Sequence, residues 1–569
     1  MEREWDYLQF SGANCKHCYK CIRGCPVKSI LFSSRKAHVE IISDDCVICG
    51  QCFVTCPQKT KTIRDDTPRV REMISGGARV YASLAPSYAA NFPGASLQAM
   101  EASLEKLGFC GVGETAVGAT AVKKEYERII ADGGNGVVIS SCCHSVNLMI
   151  QKYFPEALPS LAPVASPMRA HCEAIKRDHP EAKAVFIGPC ISKKAEAELY
   201  PGAVDCAITF EELSRWFEAE GVSPQQAEPQ PKEEAGRARL FPVPGGILRS
   251  MAWRRADYSY VVADGMPNCI NAIRGVISGE VSNCFIEMSA CVGSCIGGPA
   301  MSGAGRCLAG GCVAIDRRAG EADLDDSRLC GEDLRQSFAP MPVRKIFPGR
   351  QAIEETLRAM GKKTPHDELN CGSCGYDTCR DKAVAVLLGK ADVGMCLPYL
   401  QERAQSFSDN IIRNTPNGII VLDESLTIQQ ANEAACRILN IRDESDVKGM
   451  EAACVLDPLP ILDAMEKGEN VYEKRAHLVE YKKYVMQSII HDPDHSIIIV
   501  LMRDITEEEL SRARKVEICG ETIGITDSVI EHQMRTVQEI ASLLGETAAE
   551  TQIALTRLKD AIHNEQFLH

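Results

Sequence analysis

The sequence predicts a multidomain protein of mixed α/β and α+β class that ends in a long coiled-coil-like helix. Three observations carry this expectation. A chain of 569 residues is too long for one hydrophobic core, so three or more domains are expected. Short apolar runs over residues 80–85, 136–141 and 184–188 each lead into a loop of Cys, Ser and Pro. Buried parallel strands that deliver functional side chains at their carboxyl ends read this way. Finally, Ile530, Met534, Val537, Ala541, Leu544, Ala548, Thr551, Leu555, Leu558 and Ile562 alternate spacings of four and three, which is an a/d heptad seam.

Residues 1–70 contain Cys15-x2-Cys18-x2-Cys21-x3-Cys25-Pro26 and Cys46-x2-Cys49-x2-Cys52-x3-Cys56-Pro57. A third Cys at x2 spacing and the Cys-x3-Cys-Pro ending argue against zinc, which needs only two Cys-x2-Cys pairs. The pattern resembles the bacterial two-cluster ferredoxins, in which the fourth Cys of each run serves the other cluster. That resemblance implies one 4Fe-4S cluster on Cys15, Cys18, Cys21 and Cys56. A second falls on Cys46, Cys49, Cys52 and Cys25.

Residues 77–355 hold three separated fragments with chemistry in them: Ser140-Ser141-Cys142-Cys143, Gly188-Pro189-Cys190-Ile191-Ser192-Lys193-Lys194-Ala195-Glu196, and Glu287-Met288-Ser289-Ala290-Cys291-Val292-Gly293-Ser294-Cys295. They offer four thiolates, Cys143, Cys190, Cys291 and Cys295, plus a spare in Cys142, and four thiolates are what an iron–sulfur cluster requires. Stretches 98–108 and 121–131 read as amphipathic helices between the strands. The polar, Pro-rich stretch 223–237 reads as a surface loop. Cys307 and Cys312 have no assigned role beyond packing.

In this order the three fragments resemble the active-site loops of the iron–iron hydrogenases. The resemblance implies an α/β domain holding an H-cluster: a 4Fe-4S cubane on Cys143, Cys190, Cys291 and Cys295, bridged through Cys295 to a diiron subsite with CO, cyanide and azadithiolate ligands. Lys193, with Glu196 closing the same fragment, would hydrogen-bond one cyanide. Ala85-Pro86-Ser87 resembles a fourth family fragment, in which the serine meets the other cyanide. Ser166-Pro167 resembles a fifth, beside the diatomic ligands. Cys142 would pass protons to and from the bridgehead amine. The family's pattern is altered at His144, Val146, Gly188, Ser289, Met168 and the Gly297-Gly298-Pro299-Ala300-Met301 tail. The serine of the family's proton path falls on Ala162, and the segment before Cys142 offers only Glu125 and Glu127. Retained ligands with an altered pocket and proton path resemble the sensory branch of the family.

Residues 365–400 contain Cys371-x2-Cys374-x4-Cys379 and, further on, Cys396, with a helix expected over 383–388. The spacing resembles a small four-cysteine domain that binds one more 4Fe-4S cluster; a zinc knuckle is the alternative. Residues 405–506 resemble a PAS domain with a five-stranded antiparallel sheet, through a strand at 418–423, Asn432-Glu433-Ala434-Ala435, and a closing strand that ends in Asp504-Ile505-Thr506. Cys436 and Cys454 are read as packing residues before redox ones. Residues 507–569 are read as a helical output or dimerisation segment, since neither a kinase ATP motif nor a DNA-binding motif follows.

The net charge of −14 disfavours nucleic acid and anionic membrane as partners. With no apolar run of 18 residues and no apolar h-region at the start, neither a membrane span nor a signal peptide is expected. Twenty-eight cysteines in such a chain point to metal and redox ligands in a reducing cytoplasm rather than to disulfides. Three functions fit. The first is a slow sensory hydrogenase that acts on H2 and protons and signals as a homodimer through a kinase or phosphatase. The second is a metabolic hydrogenase coupled to ferredoxin or a similar carrier. The third is a non-enzymatic 4Fe-4S relative without the diiron site. Lys193, Cys142, Ser87 and Pro86 argue against the third, because they would serve only the diiron ligands.

Overall fold

The computed structural model describes residues 6–10, 14–33, 38–133, 136–224, 236–301, 307–329, 331, 334–344 and 346–565. Most of the expected 223–237 loop lies outside them. The chain divides into two compact units, Met1–Leu400 and Gln401–His569.

The first unit opens with two antiparallel ribbons. Strand β1 (Leu8–Phe10) pairs with β4 (Lys61–Ile63), and β2 (Ile30–Ser33) pairs with β3 (His38–Ile41). The cysteine runs lie on loops tight enough to force left-handed backbone at His17 (φ 50°), Tyr19 (φ 54°), Ile48 (φ 54°) and Gly50 (φ 73°). Such conformations cost a non-glycine residue free energy, so tertiary packing must hold them. It does so at the second run. Lys152 donates to the carbonyls of Asp44 and Cys46 at 2.8 and 2.7 Å, and the Tyr153 hydroxyl donates to that of Asp45 at 2.6 Å. A Cβ at Gly50 would lie 2.6 Å from the Pro299 ring, so only glycine permits this approach.

Two parallel sheets follow. Strands β5 (Val80–Leu84), β6 (Gly111–Glu114), β8 (Lys183–Gly188) and β9 (Cys206–Thr209) form one, in the order β6-β5-β8-β9. The other contains β7 (Val137–Ile139), β10 (Ser259–Asp264) and β11 (Cys284–Ser289), in the order β10-β11-β7. The runs at 80, 137 and 184, all read as parallel strands, are divided between the two sheets. β5 and β8 pair with each other, while β7 pairs with β11. Register explains why the loops still converge: Leu84 lies opposite Ile187, and Ile139 opposite Ile286, so each pair of strands ends at one level. The expected helices appear at Leu97–Lys106 and Ala116–Ala131. The four-cysteine stretch contains the helix Cys379–Leu387.

In the second unit, β12 (Gly418–Asp423), β13 (Ile428–Ala431), β14 (Val471–Leu478), β15 (Lys483–Asp492) and β16 (Ile497–Asp504) form one antiparallel sheet, in the order β13-β12-β16-β15-β14. Asn432 explains its own motif. Its Oδ1 accepts from the amides of Ile419 and Ala435, and its Nδ2 donates to the carbonyls of Ile412 and Asn417. All four hydrogen-bonding positions of the amide are thereby used. Cys436 is buried in the core and Cys454 is exposed. Asp504 accepts from the Thr506 amide and hydroxyl, and Thr506 Oγ1 accepts from the Tyr484 amide. This knot fixes the start of a 60-residue helix, Thr506–Glu565. Its seam residues Met534, Val537, Leu544, Leu555 and Leu558 are all more than half exposed. Among the described residues no helix is long and apolar enough to cross a membrane.

Candidate active site

The four loops that leave β5, β7, β8 and β11 meet. After β7, Ser140 Oγ accepts from the Met288 amide at 3.0 Å, which ties this loop to β11. Ser141 donates to the Val164 carbonyl at 2.6 Å. Cys142 and Cys143 follow, and Cys143 directly precedes the helix His144–Tyr153. After β8, Cys190 directly precedes Ile191 and the helix Ser192–Leu199. After β11, the chain turns at Gly293 (φ 80°), whose amide donates to Asp264 at 2.8 Å, and Cys295 follows in a short turn. A Cβ at Gly298 would lie 2.7 Å from the Pro189 carbonyl, so the third fragment presses on the second.

The four thiols face one another. Burial pushes those of Cys291 and Cys295 up, and their charged neighbours Cys190 and Cys143 push them further. Burial, then Cys143, takes Cys190 up to about 11. Cys295 is exposed although protein packs densely around it, as a side chain lining a cavity would be. Four mutually repelling buried thiols have no stable ionised state alone. A bound metal group that takes them as thiolates relieves this.

Burial alone would lower the pKa of Lys193, but Glu196 at 2.5 Å overrides it and holds the ammonium charged. Its Nζ also donates to the Cys142 carbonyl at 3.1 Å. Burial would raise the Glu196 carboxyl; the charge and hydrogen bond of Lys193 and a hydrogen bond from Ser166 hold it down. Ser166 Oγ also caps the helix Pro167–Asp178. His144 is forced neutral by burial, its pKa falling to about 4. Ser87 is 1% exposed, and its Oγ has no partner among the described residues. A buried hydroxyl left unpaired costs roughly 1–3 kcal/mol, so this one is built for an acceptor such as a cyanide nitrogen. The residues present therefore fit the group that the resemblance implies.

Two residues missed from the sequence adjoin Cys142. The Tyr126 hydroxyl lies 3.2 Å from its Sγ and 3.1 Å from Ser141 Oγ. Glu287 is 3% exposed, and burial raises its carboxyl to about 7. The Leu248 amide donates to it at 3.0 Å, and its charge reaches Cys142. Burial takes Cys142 itself up to about 12. Glu125 and Glu127 are engaged elsewhere, with Arg128 and with the Ala252 amide. Ala162 is buried in the same apolar cluster as Tyr126, which Cys142 also adjoins. The helical period of the buried positions Ala119, Val122, Tyr126 and Ile130 was the available signal for Tyr126. For Glu287 the signal was a carboxylate inside an apolar strand.

In the N-terminal module the charged neighbours of Cys49 and Cys52 include Cys25, and those of Cys21 are Lys61, Cys56 and Cys15. Cys49 is also a neighbour of Cys291. Cys371, Cys374, Cys379 and Cys396 line one cavity together with Lys362, Lys382 and Tyr376. Among the described residues no three His, Cys, Asp or Glu side chains gather tightly enough for a single metal ion.

Four stretches of the chain match known families. Residues 8–58 match a 4Fe-4S dicluster domain, 367–398 a family described as a putative Fe-S cluster, and 406–474 a PAS domain. These define a multi-cluster iron–sulfur protein joined to a PAS domain. Residues 78–299 match the iron only hydrogenase large subunit, C-terminal domain. The chain thus carries a domain of the iron–iron hydrogenase type, with the PAS domain on its C-terminal side. Among curated proteins it is similar to the periplasmic iron hydrogenase large subunit of Nitratidesulfovibrio vulgaris, 24% identical over 284 residues, which are 43% of this chain and 66% of that one. The ketoisovalerate oxidoreductase subunit VorC of Methanothermobacter marburgensis is 36% identical over 58 residues, 9% of this chain and 72% of that one. Among solved structures, an FeFe-hydrogenase HydA1 variant from Chlamydomonas reinhardtii aligns at 16% identity and TM-score 0.39, covering 49% of this chain and all of that one.

Proposed function

We propose that this protein is a slow, sensory iron–iron hydrogenase that activates H2 to protons and electrons and reports through its PAS domain and C-terminal helix. The observation that carries the proposal is the gathering of the four thiols around the Lys193–Glu196 pair, with an unpartnered Ser87 hydroxyl on the loop whose Ala85 amide is tied to Ile187 beside the second fragment. The pair and the hydroxyl fit the diiron half of an H-cluster, which a plain 4Fe-4S protein would not need. Cys143, Cys190, Cys291 and Cys295 would hold the group, and when bound it supplies the iron at which H2 splits and the first electron sink.

The chain's own residues do the rest. Lys193 stays charged in a buried place and donates a hydrogen bond there. Cys142 keeps its proton, since burial disfavours the thiolate, so its Sγ takes up one proton while giving another. Glu287, poised near neutrality, exchanges that proton at the pH where general acid–base catalysis is most effective. Tyr126 orients the Cys142 thiol. Ala162 offers no relay where the family's serine would stand, which supports low turnover. Cys49, facing Cys291, puts the N-terminal module in line to pass electrons to ferredoxin or a similar carrier. The PAS domain and the exposed seam support signalling as a homodimer or through a kinase or phosphatase in the cytoplasm.

The test is the infrared spectrum of anaerobically reconstituted protein after supply of a synthetic diiron precursor. Bands of iron-bound CO and cyanide are expected, on top of about sixteen irons from four cysteine quartets. Iron without these bands would leave the non-enzymatic reading instead.

A further inference from the structure

We propose that the four-cysteine domain is a redox extension of the N-terminal cysteine module, joined to it through Tyr376. The inference rests on the reading that both quartets hold 4Fe-4S clusters.

The domain is docked on that module. The Arg23 guanidinium donates to the Ser373 carbonyl at 3.1 Å, the Phe32 amide donates to the Lys390 carbonyl at 3.2 Å, and the Lys390 ammonium pairs with Asp45. At Gly375 (φ 92°) a Cβ would lie 3.0 Å from the backbone of Arg23. The two segments thus approach at backbone distance beside Cys374 on one side and two residues before Cys25 on the other. One apolar cluster runs through the contact, with Cys21, Ile22, Cys25 and Cys52 from the module and Tyr376 and Met395 from the domain.

Tyr376 occupies the seam. It is 5% exposed, and its charged neighbours are the thiols of Cys374 and Cys25. Its hydroxyl has no partner among the described residues, and Lys28 and Lys382 flank its ring. A buried O–H between two cysteines of different quartets is placed to donate to cluster sulfur. Lys362 and Lys382, both nearly buried, line the cavity with the four cysteines. They offset the negative charge that an all-thiolate cluster carries. The step is a transfer of one electron, from a reduced cluster at the Cys25 quartet to an oxidised one at the Cys371 quartet. No bond or proton is exchanged. Cys396 directly precedes the helix Leu397–Asn414, so this quartet is the last electron-accepting one before the second unit.

The experiment is electron paramagnetic resonance of the full chain reduced either with H2 or with dithionite. Three variants are compared with wild type: Cys374→Ser, the double Arg23→Ala/Lys390→Glu, and Tyr376→Phe. Wild type is expected to show a spin–spin splitting that Cys374→Ser abolishes. The double variant keeps all four cysteines and its full iron, and it should lose the same splitting. Tyr376→Phe should retain it but lower the midpoint potential of that cluster, because hydrogen bonds to cluster sulfur raise potentials. A splitting that survives in the double variant, an unmoved potential in Tyr376→Phe, or stoichiometric zinc at the quartet overturns the proposal. Splitting seen with dithionite but not with H2 upholds it while sinking the hydrogenase reading. Reduction by both agents without the splitting does the reverse.

Discussion

Replacing Glu287 by Gln separates the proton-handling carboxyl from the fold that holds it. The side chain keeps its shape and can still accept from the Leu248 amide, but it no longer titrates. In the native protein burial lifts this carboxyl from 4.5 to about 7. A folded-state pKa above the unfolded one means that the folded state holds the proton more tightly. Its stabilising effect is therefore full below the unfolded value and is lost as pH rises through about 7. At 1.36 kcal/mol per unit, the loss between pH 5 and pH 8 comes to about 2.5 kcal/mol. Spread over the unit Met1–Leu400 at about 2.1 cal/mol/K per residue, this is about 3 °C in Tm if the unit melts as one. The assay is anaerobic thermal unfolding of both proteins from pH 5 to pH 8, read as the difference between them so that other titrating groups cancel. Glu287→Gln should gain on the native protein as pH rises, and its H2 turnover should fall by about 10²–10⁴-fold. A flat difference in Tm would refute the protonated, buried carboxyl and with it the role of Glu287 as proton acceptor.

Further outcomes follow from the same site and from the C-terminal helix. Cys142→Ala should lower turnover by about 10²–10⁴-fold with unchanged iron content; equal turnover would remove the thiol from the proton route. Tyr126→Phe strips the hydroxyl that accepts from the Ser141 amide at 2.9 Å, leaving a buried donor unpaired. Its cost is about 1–3 kcal/mol, read as a lower melting temperature. Truncation at Glu507 should convert a dimer to a monomer in sedimentation and abolish partner capture while leaving H2 turnover intact. An unchanged mass and unchanged capture would end the output role of the helix.

Much of this was legible because sulfur ligands are hard to disguise. Two Cys-x2-Cys-x2-Cys-x3-Cys runs and three separated Cys loops admit few chemistries, and the sequence pattern already contained both. The five-stranded sheet was legible through Asn432 and the Asp504–Thr506 knot, whose side chains satisfy their own local backbone. What stayed hidden depends on pairing. Nothing in the run 137–139 says that it joins β11 rather than β8, since both partners are equally apolar and buried. Tyr126 was passed over because the acids on either side of it, Glu125 and Glu127, are the usual proton carriers. Yet consecutive helical residues point about 100° apart, and only the middle one faces Cys142. Glu287 was quoted but not used, because its role comes from burial among β11 residues rather than from its spacing to Cys291.

The 60-residue helix Thr506–Glu565 is also a ruler. At 1.5 Å per residue its axis runs about 90 Å, longer than the sheet that anchors it. Its root is held by a few bonds among Asp504, Thr506 and Tyr484, so tilt at the root is magnified at the tip. A reorientation of about 5° there would carry the far end by about 8 Å, given the same rise per residue. That displacement is sideways and close to the roughly 8–10 Å that separates the axes of two packed helices, enough to open or close a contact at the tip. Motion too small to see in the sheet would then arrive at a distant partner as a contact made or broken.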